Sequence, residues 1–203
     1  MARTPKVMED RREQIIDAAM QAFSQKGYTR ATNKDIAREA GITPGLIYHY
    51  FESKEALLRA IIEERSPLGL VKSLPPQVLT MPPEVFLRFL LPQILGIVEE
   101  ERFVQLLRVI FPELVYNPQI AQVVTGFLQQ VLGFLTPLFE SWMEIGELRR
   151  ADPALAAQVL LGSVFAFVLR RQILRDPLAL RYTHEQIADA VIETLLMGLV
   201  PRE

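Results

Sequence analysis

Apolar residues recur at three- and four-residue steps over residues 10–26, at Ile15, Ile16, Ala19, Met20, Ala22 and Phe23, which predicts an amphipathic helix stopped by Gly27. Thr32 suits the N-cap of a second helix, and Asp35 three residues on can close a capping box. That helix runs to about Ala40. Gly41 supplies the positive φ of a sharp turn, Ile42 can plug the core beneath it, and Thr43 can cap a short third helix with Pro44 at its first position. The third helix ends near Tyr50. Ser53 caps a fourth over residues 54–65, with Ala56, Leu57, Leu58, Ile61 and Ile62 as its apolar stripe.

The pattern then breaks. Pro67, Gly69, Pro75, Pro76, Pro82 and Pro83 crowd residues 66–83, which predicts an irregular linker. Helical periodicity returns over residues 84–101, 102–111, 118–145, 153–174 and 184–199, with almost no period-two alternation, so the chain reads as all-α. Pro92 and Pro137 fall inside two of these patterns and predict kinks or breaks, while Gly146 predicts a stop before Asp152 caps the next helix.

Two short helices joined by a glycine turn, with a longer helix behind them, form the unit that places a recognition helix in the DNA major groove. Ala37 is small where the second and third helices must cross, and Ile36, Ala40, Ile42, Leu46 and Ile47 can fix their angle. Charge agrees weakly: the first sixty residues hold ten Lys and Arg against eight Asp and Glu, and the remainder twelve against sixteen. The whole chain of 203 residues carries −2, half of it is hydrophobic, and it should fold. It has no cysteine, which excludes disulfides, thiolate metal sites and a cysteine nucleophile. The charged start lacks a secretory apolar stretch, and no apolar run approaches the ~18 residues of a membrane span. A cytoplasmic protein is the expectation, with no membrane partner.

The segment GYTRATNKDIAREAGITPGLIYHYFESKEALL, residues 27–58, resembles the signature of the TetR/AcrR family of bacterial regulators. The resemblance implies a helix-turn-helix DNA-binding domain over residues 1–55 and an all-helical effector-binding and dimerisation domain over 56–203. It implies further that Thr43 contacts phosphate, that Pro44 and Gly45 bring the third helix close to DNA, and that Tyr48 and His49 contact phosphates or bases. Lys54 matches a phosphate-clamping lysine, and Thr32 lies at the start of the DNA-facing unit. Ala31 and Asn33 depart from the common pattern. Asn33 either faces DNA or is a plain helix-start residue, and Tyr48 has packing as its alternative, as Tyr50 and Phe51 do between the first and fourth helices. His49 lacks a partner at metal-ligand spacing, so no metal is expected, and His184 reads as a solvent-side residue near a helix start.

The second part is rich in large apolar residues. Most belong in a core, but Phe86, Phe89, Phe103, Leu107, Phe111, Phe127, Phe134 and Phe165 are also the types that line an apolar small-molecule pocket. Residues 153–174 and 184–199 are apolar on more faces than one surface helix needs, with small Ala156, Ala157, Gly162, Ser163 and Ala166, which fits a four-helix homodimer interface or burial within one subunit. The expected function is a ligand-responsive regulator, a repressor by default, that binds a palindromic operator as a dimer and is released by an apolar effector. No cofactor is expected. An all-α enzyme is the first rival, but no HExxH, G-x-S-x-G or phosphate-binding glycine loop is present, and Glu99, Glu100 and Glu101 are adjacent and read as a charged helix end. A protein that uses its apolar helices to bind a partner is the second, and salt dependence separates it from a DNA binder.

Overall fold

The fold is known from a computed structural model, which describes residues 5–199. The charged start and the last residues of the expected second domain therefore lie partly outside the described residues, at 1–4 and 200–203. Among the described residues there are helices and no strands. In order they are α1 (Pro5–Lys26), α2 (Asn33–Glu39), α3 (Pro44–Tyr50), α4 (Lys54–Arg65), α5 (Leu68–Lys72), α6 (Pro76–Leu79), α7 (Pro83–Glu99), α8 (Glu101–Leu114), α9 (Pro118–Glu144), α10 (Pro153–Val168) and α11 (His184–Leu199).

The chain divides into two compact units. The first comprises the residues up to Arg65 together with Gln105–Phe127. Its core is built from Ile15, Ile16 and Phe23 of α1, Ile36 and Ala37 of α2, Ile47 of α3, and Leu57, Leu58 and Ile61 of α4, all buried. Each large side chain removed from water contributes about 2 kcal/mol before entropy is counted. Tyr28 packs its ring edge-on to Phe23 at 5.1 Å. Arg12 and Arg65 tie α1 to α4 through Glu64 and Asp17, and Arg12 also lies 5.3 Å over the Phe51 ring. Tyr50 and Phe51 thus pack as expected, and the Tyr50 hydroxyl is enclosed without a hydrogen-bond partner.

The second unit comprises Ser66–Val104 and the residues from Leu128 onward. Here α7 packs along α11, α10 lies against both, and Phe86 and Phe139 meet the Trp142 ring edge-on at 5.5 and 5.4 Å. The Trp142 indole N–H donates to the Met81 carbonyl at 3.2 Å, so the proline-rich stretch is held against this core. That stretch contains two short helices, α5 and α6, where the sequence predicted only an irregular linker.

Several expectations are corrected. Of the kinks or breaks expected at Pro92 and Pro137, the breaks do not occur, and α7 and α9 run on through both, because a proline removes one ladder bond while the turns on either side stay packed. The helix expected over residues 153–174 is α-helical only to Val168 and then widens into a π turn, Leu169–Ile173. Neither Glu99 nor His184 is merely solvent-facing. Buried Arg171, on the π turn, pairs with both oxygens of Glu99 and donates to the carbonyls of Ala179 and Tyr182 at 2.9 and 2.6 Å, while His184 Nε2 lies 2.8 Å from the Glu99 carboxylate. Burial opposes the charge of Glu99, but the bonds from Arg171 and His184 prevail and hold its pKa below the ordinary value. Finally, α9 and Pro153–Ile173 are each long and apolar enough to cross a membrane, with mean hydropathy 1.2 and 1.7 over 18 residues. Averaging tolerates the polar interruptions, such as Gln158 and Ser163, that an unbroken apolar run does not. Only 22% and 28% of those stretches are buried within the chain.

Candidate nucleic-acid interface

The site grows from three local devices. At the first, Gly27 adopts φ +77 and ends α1, and the chain turns through residues 27–32 into α2. The predicted capping box closes there: Thr32 Oγ1 accepts from the Asp35 amide at 3.2 Å, and Thr32 N donates back to the Asp35 carboxylate at 3.0 Å. Arg38 pairs with the same carboxylate from the next turn, and the bond from Lys26 at 2.5 Å, followed by those from Thr32, holds the Asp35 pKa far below the carboxylate range.

The second device is the turn between α2 and α3. Gly41 takes φ +62, a conformation that side chains disfavour, and the Ile42 amide donates back to the Ala37 carbonyl at 2.9 Å. Thr43 occupies the N-cap position with extended dihedrals, but its hydroxyl makes no bond to α3, which differs from the side-chain cap the sequence predicted. On α3 only Ile47 is buried, at 1% exposure, and Leu46 is half-buried. Thr43, Pro44, Gly45, Tyr48 and His49 are all exposed, with Tyr48 at 59%. The His49 ring lies edge-on to Tyr50 at 5.4 Å. A short helix pinned by one buried residue and open on its other face is the geometry of a reading helix.

The third device is the start of α4. Ser53 Oγ accepts from the Ala56 amide at 3.1 Å, as its predicted cap role requires. Lys54, expected to clamp phosphate, instead points back into the loop: its Nζ donates to the carbonyls of Tyr28, Ala31 and Thr29 at 2.9, 3.2 and 3.4 Å and sits 4.4 Å from the centre of the Tyr28 ring. An ammonium has three N–H donors, and all three have carbonyl partners here. Burial lowers the Lys54 pKa, and burial followed by the nearby Glu55 charge raises that of the Tyr28 phenol. Thr32 and Asn33 lie beside this loop, Thr32 exposed and Asn33 half-buried.

Three residues of the site escaped the sequence reading. Glu113, at the end of α8, accepts from the Thr29 amide at 3.0 Å and from the Thr29 hydroxyl at 2.6 Å, and Asn117 adds a long contact to that hydroxyl at 3.5 Å. No local pattern foretells a pairing across eighty-four positions. On another side of the same unit, Asp10, Glu13, Asp17 and Glu39 line an open groove of about 400 Å³ with Gln14 and Gln21. Its carboxylates would repel phosphate.

The eight candidate pocket residues do not behave alike. Phe86 is wholly buried beside Trp142 and belongs to the core; Phe89 and Phe165 are 44% and 45% exposed. Phe103 and Phe134 are half-buried in the second unit, whereas Leu107, buried, and Phe111 and Phe127, half-buried, belong to the first.

Comparison with known proteins gives two family matches that between them span most of the chain. Residues 15–61 match the model for bacterial regulatory proteins of the tetR family, and residues 86–198 match the C-terminal domain of AefR-like transcriptional repressors. Among curated relatives, the transcriptional regulator HbdR of Aromatoleum sp. (strain CIB) is 52% identical over 54 residues, which is 27% of this chain and 24% of that protein. UidR of Escherichia coli (strain K12) is 28% identical over 76% of this chain and 78% of its own length. Among solved structures, the regulator FadR from Bacillus subtilis in complex with stearoyl-CoA superposes with a TM-score of 0.73 at 22% identity, covering 92% of this chain and 98% of that one. A SmeT–triclosan complex gives 0.75 at 23% identity, covering 95% and 92%. At such identities the likeness of structure speaks for the fold alone.

Proposed function

Since the chain belongs to the TetR family of bacterial regulatory proteins, which are transcriptional regulators and not enzymes, we propose that it is a ligand-responsive repressor that binds palindromic operator DNA as a homodimer in the cytoplasm and is released by an apolar small molecule. In this reading residues 1–55 bind DNA and residues 56–203 bind the effector and the second subunit. The observation that carries it is the outward face of α3, where Thr43, Pro44, Gly45, Tyr48 and His49 are exposed while Ile47 anchors the helix from behind.

Thr43 offers phosphate an unbonded hydroxyl. Gly45 keeps the backbone near base edges, and Tyr48 and His49 reach phosphate or base. Thr32 and Asn33 approach from the start of α2. Lys54 acts by holding the 27–32 loop in place, since its ammonium is already engaged by three carbonyls.

Support for the dimer comes from α10 and α11. On α10, Leu155, Val159 and Phe165 are 65%, 56% and 45% exposed, with Gly162 and Ala166 exposed among them, and Met197 on α11 is 78% exposed. Water is a poor neighbour for so continuous an apolar face, and a second copy would cover it. Support for an apolar effector comes from the half-buried aromatic residues Phe103 and Phe134 of the second unit and from the FadR and SmeT structures, whose bound molecules are stearoyl-CoA and triclosan.

The decisive experiment is selection of duplexes from a randomised pool by the purified chain, followed by anisotropy titrations of the selected duplex at rising salt. A palindromic motif with half-sites about one DNA turn apart, ~34 Å, and affinity falling steeply with salt is the expected result. Binding that ignores both sequence and Tyr48→Ala would sink the reading and favour a protein-interaction role for the apolar helices.

A further inference from the structure

Thr29 is gripped from two sides. Its carbonyl faces the Lys54 ammonium of α4 at 3.4 Å, while its amide and hydroxyl both donate to the Glu113 carboxylate of α8, at 3.0 and 2.6 Å. Lys54 extends the grip to the carbonyls of Tyr28 and Ala31 on either side. Glu113 also stands 3.9 Å from where a side chain on Gly27 would begin, so it covers the first residue of the loop as well as the third. Three residues after Thr29 the chain enters α2 at Thr32 and Asn33.

The loop itself supplies little of this order. It is one turn held by the Ala31 amide on the Gly27 carbonyl at 3.2 Å and by the Arg30 guanidinium on the Lys26 carbonyl at 2.9 Å. Leaving such a loop free in the unbound protein would require ordering it on DNA, at about 1 kcal/mol for each residue fixed. A carboxylate accepting two bonds from one residue makes the charge-assisted kind, which is about twice as strong as the neutral kind.

We propose that Glu113 is a positioning residue for DNA reading: from the end of α8 it holds Thr29, and through the 27–32 loop it fixes the start of α2, without itself touching DNA. The inference rests on the DNA-binding reading above and deepens it, because it makes the tightness of reading depend on a residue outside the helix-turn-helix. α8 begins in the second unit and ends in the first.

The test uses the full chain with Glu113→Ala, Glu113→Gln, Thr29→Val and the Glu113→Ala/Thr29→Val double variant. Each is titrated with the duplex selected from a randomised pool and with a scrambled duplex of the same length, and each is melted thermally. Both Glu113→Ala and Thr29→Val should bind the selected duplex about tenfold more weakly, and Glu113→Gln, which keeps an acceptor, should fall between. The scrambled duplex should be bound as by the wild type, and the double variant should be no worse than either single, the mark of one shared interaction. Amide exchange at Thr29 should quicken in the free Glu113→Ala protein. Wild-type affinity in the alanine variant, or equal loss on selected and scrambled duplexes, would overturn the inference and leave DNA reading intact. A wild-type chain that selects no duplex at all would overturn both.

Discussion

Ile47 and Tyr48 are neighbours on α3 and differ sharply in exposure, one 1% exposed and the other 59%. Adjacent helical positions differ by about 100° around the axis, so one short helix can be anchored by the first residue and read with the second. The two should separate on mutation. Tyr48→Ala should leave the melting midpoint within about a degree of the wild type, since exposed substitutions stay within roughly 0.5 kcal/mol, yet weaken operator binding at least tenfold. Ile47→Ala should cost about 3 kcal/mol of stability by opening a cavity under α3. Urea titrations and anisotropy on the same samples distinguish the two.

Gly41→Ala tests the turn. Nothing lies within 4 Å of where the added methyl would stand, so the penalty comes only from φ +62, and about 1 kcal/mol is expected. A chemical-denaturation midpoint unchanged by the substitution would show that the turn relaxes without strain.

Glu99 and Arg171 hold the end of α7 against the π turn. Their side chains are 17% and 10% exposed, so Glu99→Gln should cost about 3 kcal/mol by leaving the guanidinium unpaired. The folded pKa of Glu99 lies below its ordinary value. Its contribution is therefore present above the unfolded carboxylate range and is lost as pH falls through the folded value. Stability measured from neutral pH downward should decline less steeply in the glutamine variant than in the wild type.

Val159→Glu tests the second copy. Val159 is 56% exposed, so a charge there should barely change folding of one chain. Light scattering should report half the wild-type mass, and affinity for the palindrome should drop because half-sites no longer act together. A dimeric Val159→Glu protein would move the interface away from α10.

Much of the head could be read from neighbours in sequence. Thr32 with Asp35, Gly41, Ser53 and Asp152 act on amides two or three residues away, or on their own φ, so spacing alone revealed them. Thr43 makes no side-chain cap although Asp152, which likewise stands before a proline, caps its helix through the next two amides, so the residue type at that spacing did not decide the matter. Lys54 was legible as a special lysine but not in its direction, which is set by a loop more than twenty positions earlier. Glu113 with Thr29 and Glu99 with Arg171 join residues eighty-four and seventy-two positions apart. Each was visible as a charge and invisible as a pair. The aromatic residues of the second unit were likewise legible as apolar, while packing alone decided that Phe86 is core and Phe165 is surface.

Asp35, the acid that closes the capping box of α2, would stand near a polyanion in the proposed DNA-binding reading, and a bare carboxylate there would be a fault. Lys26 and Arg38 flank it with two positive charges against its one, and the bonds from Lys26 and Thr32 hold its pKa far below the carboxylate range. The local sum at the start of α2 is thus one positive charge: the same side chain that builds the helix end leaves no uncompensated negative charge there to turn away an anion.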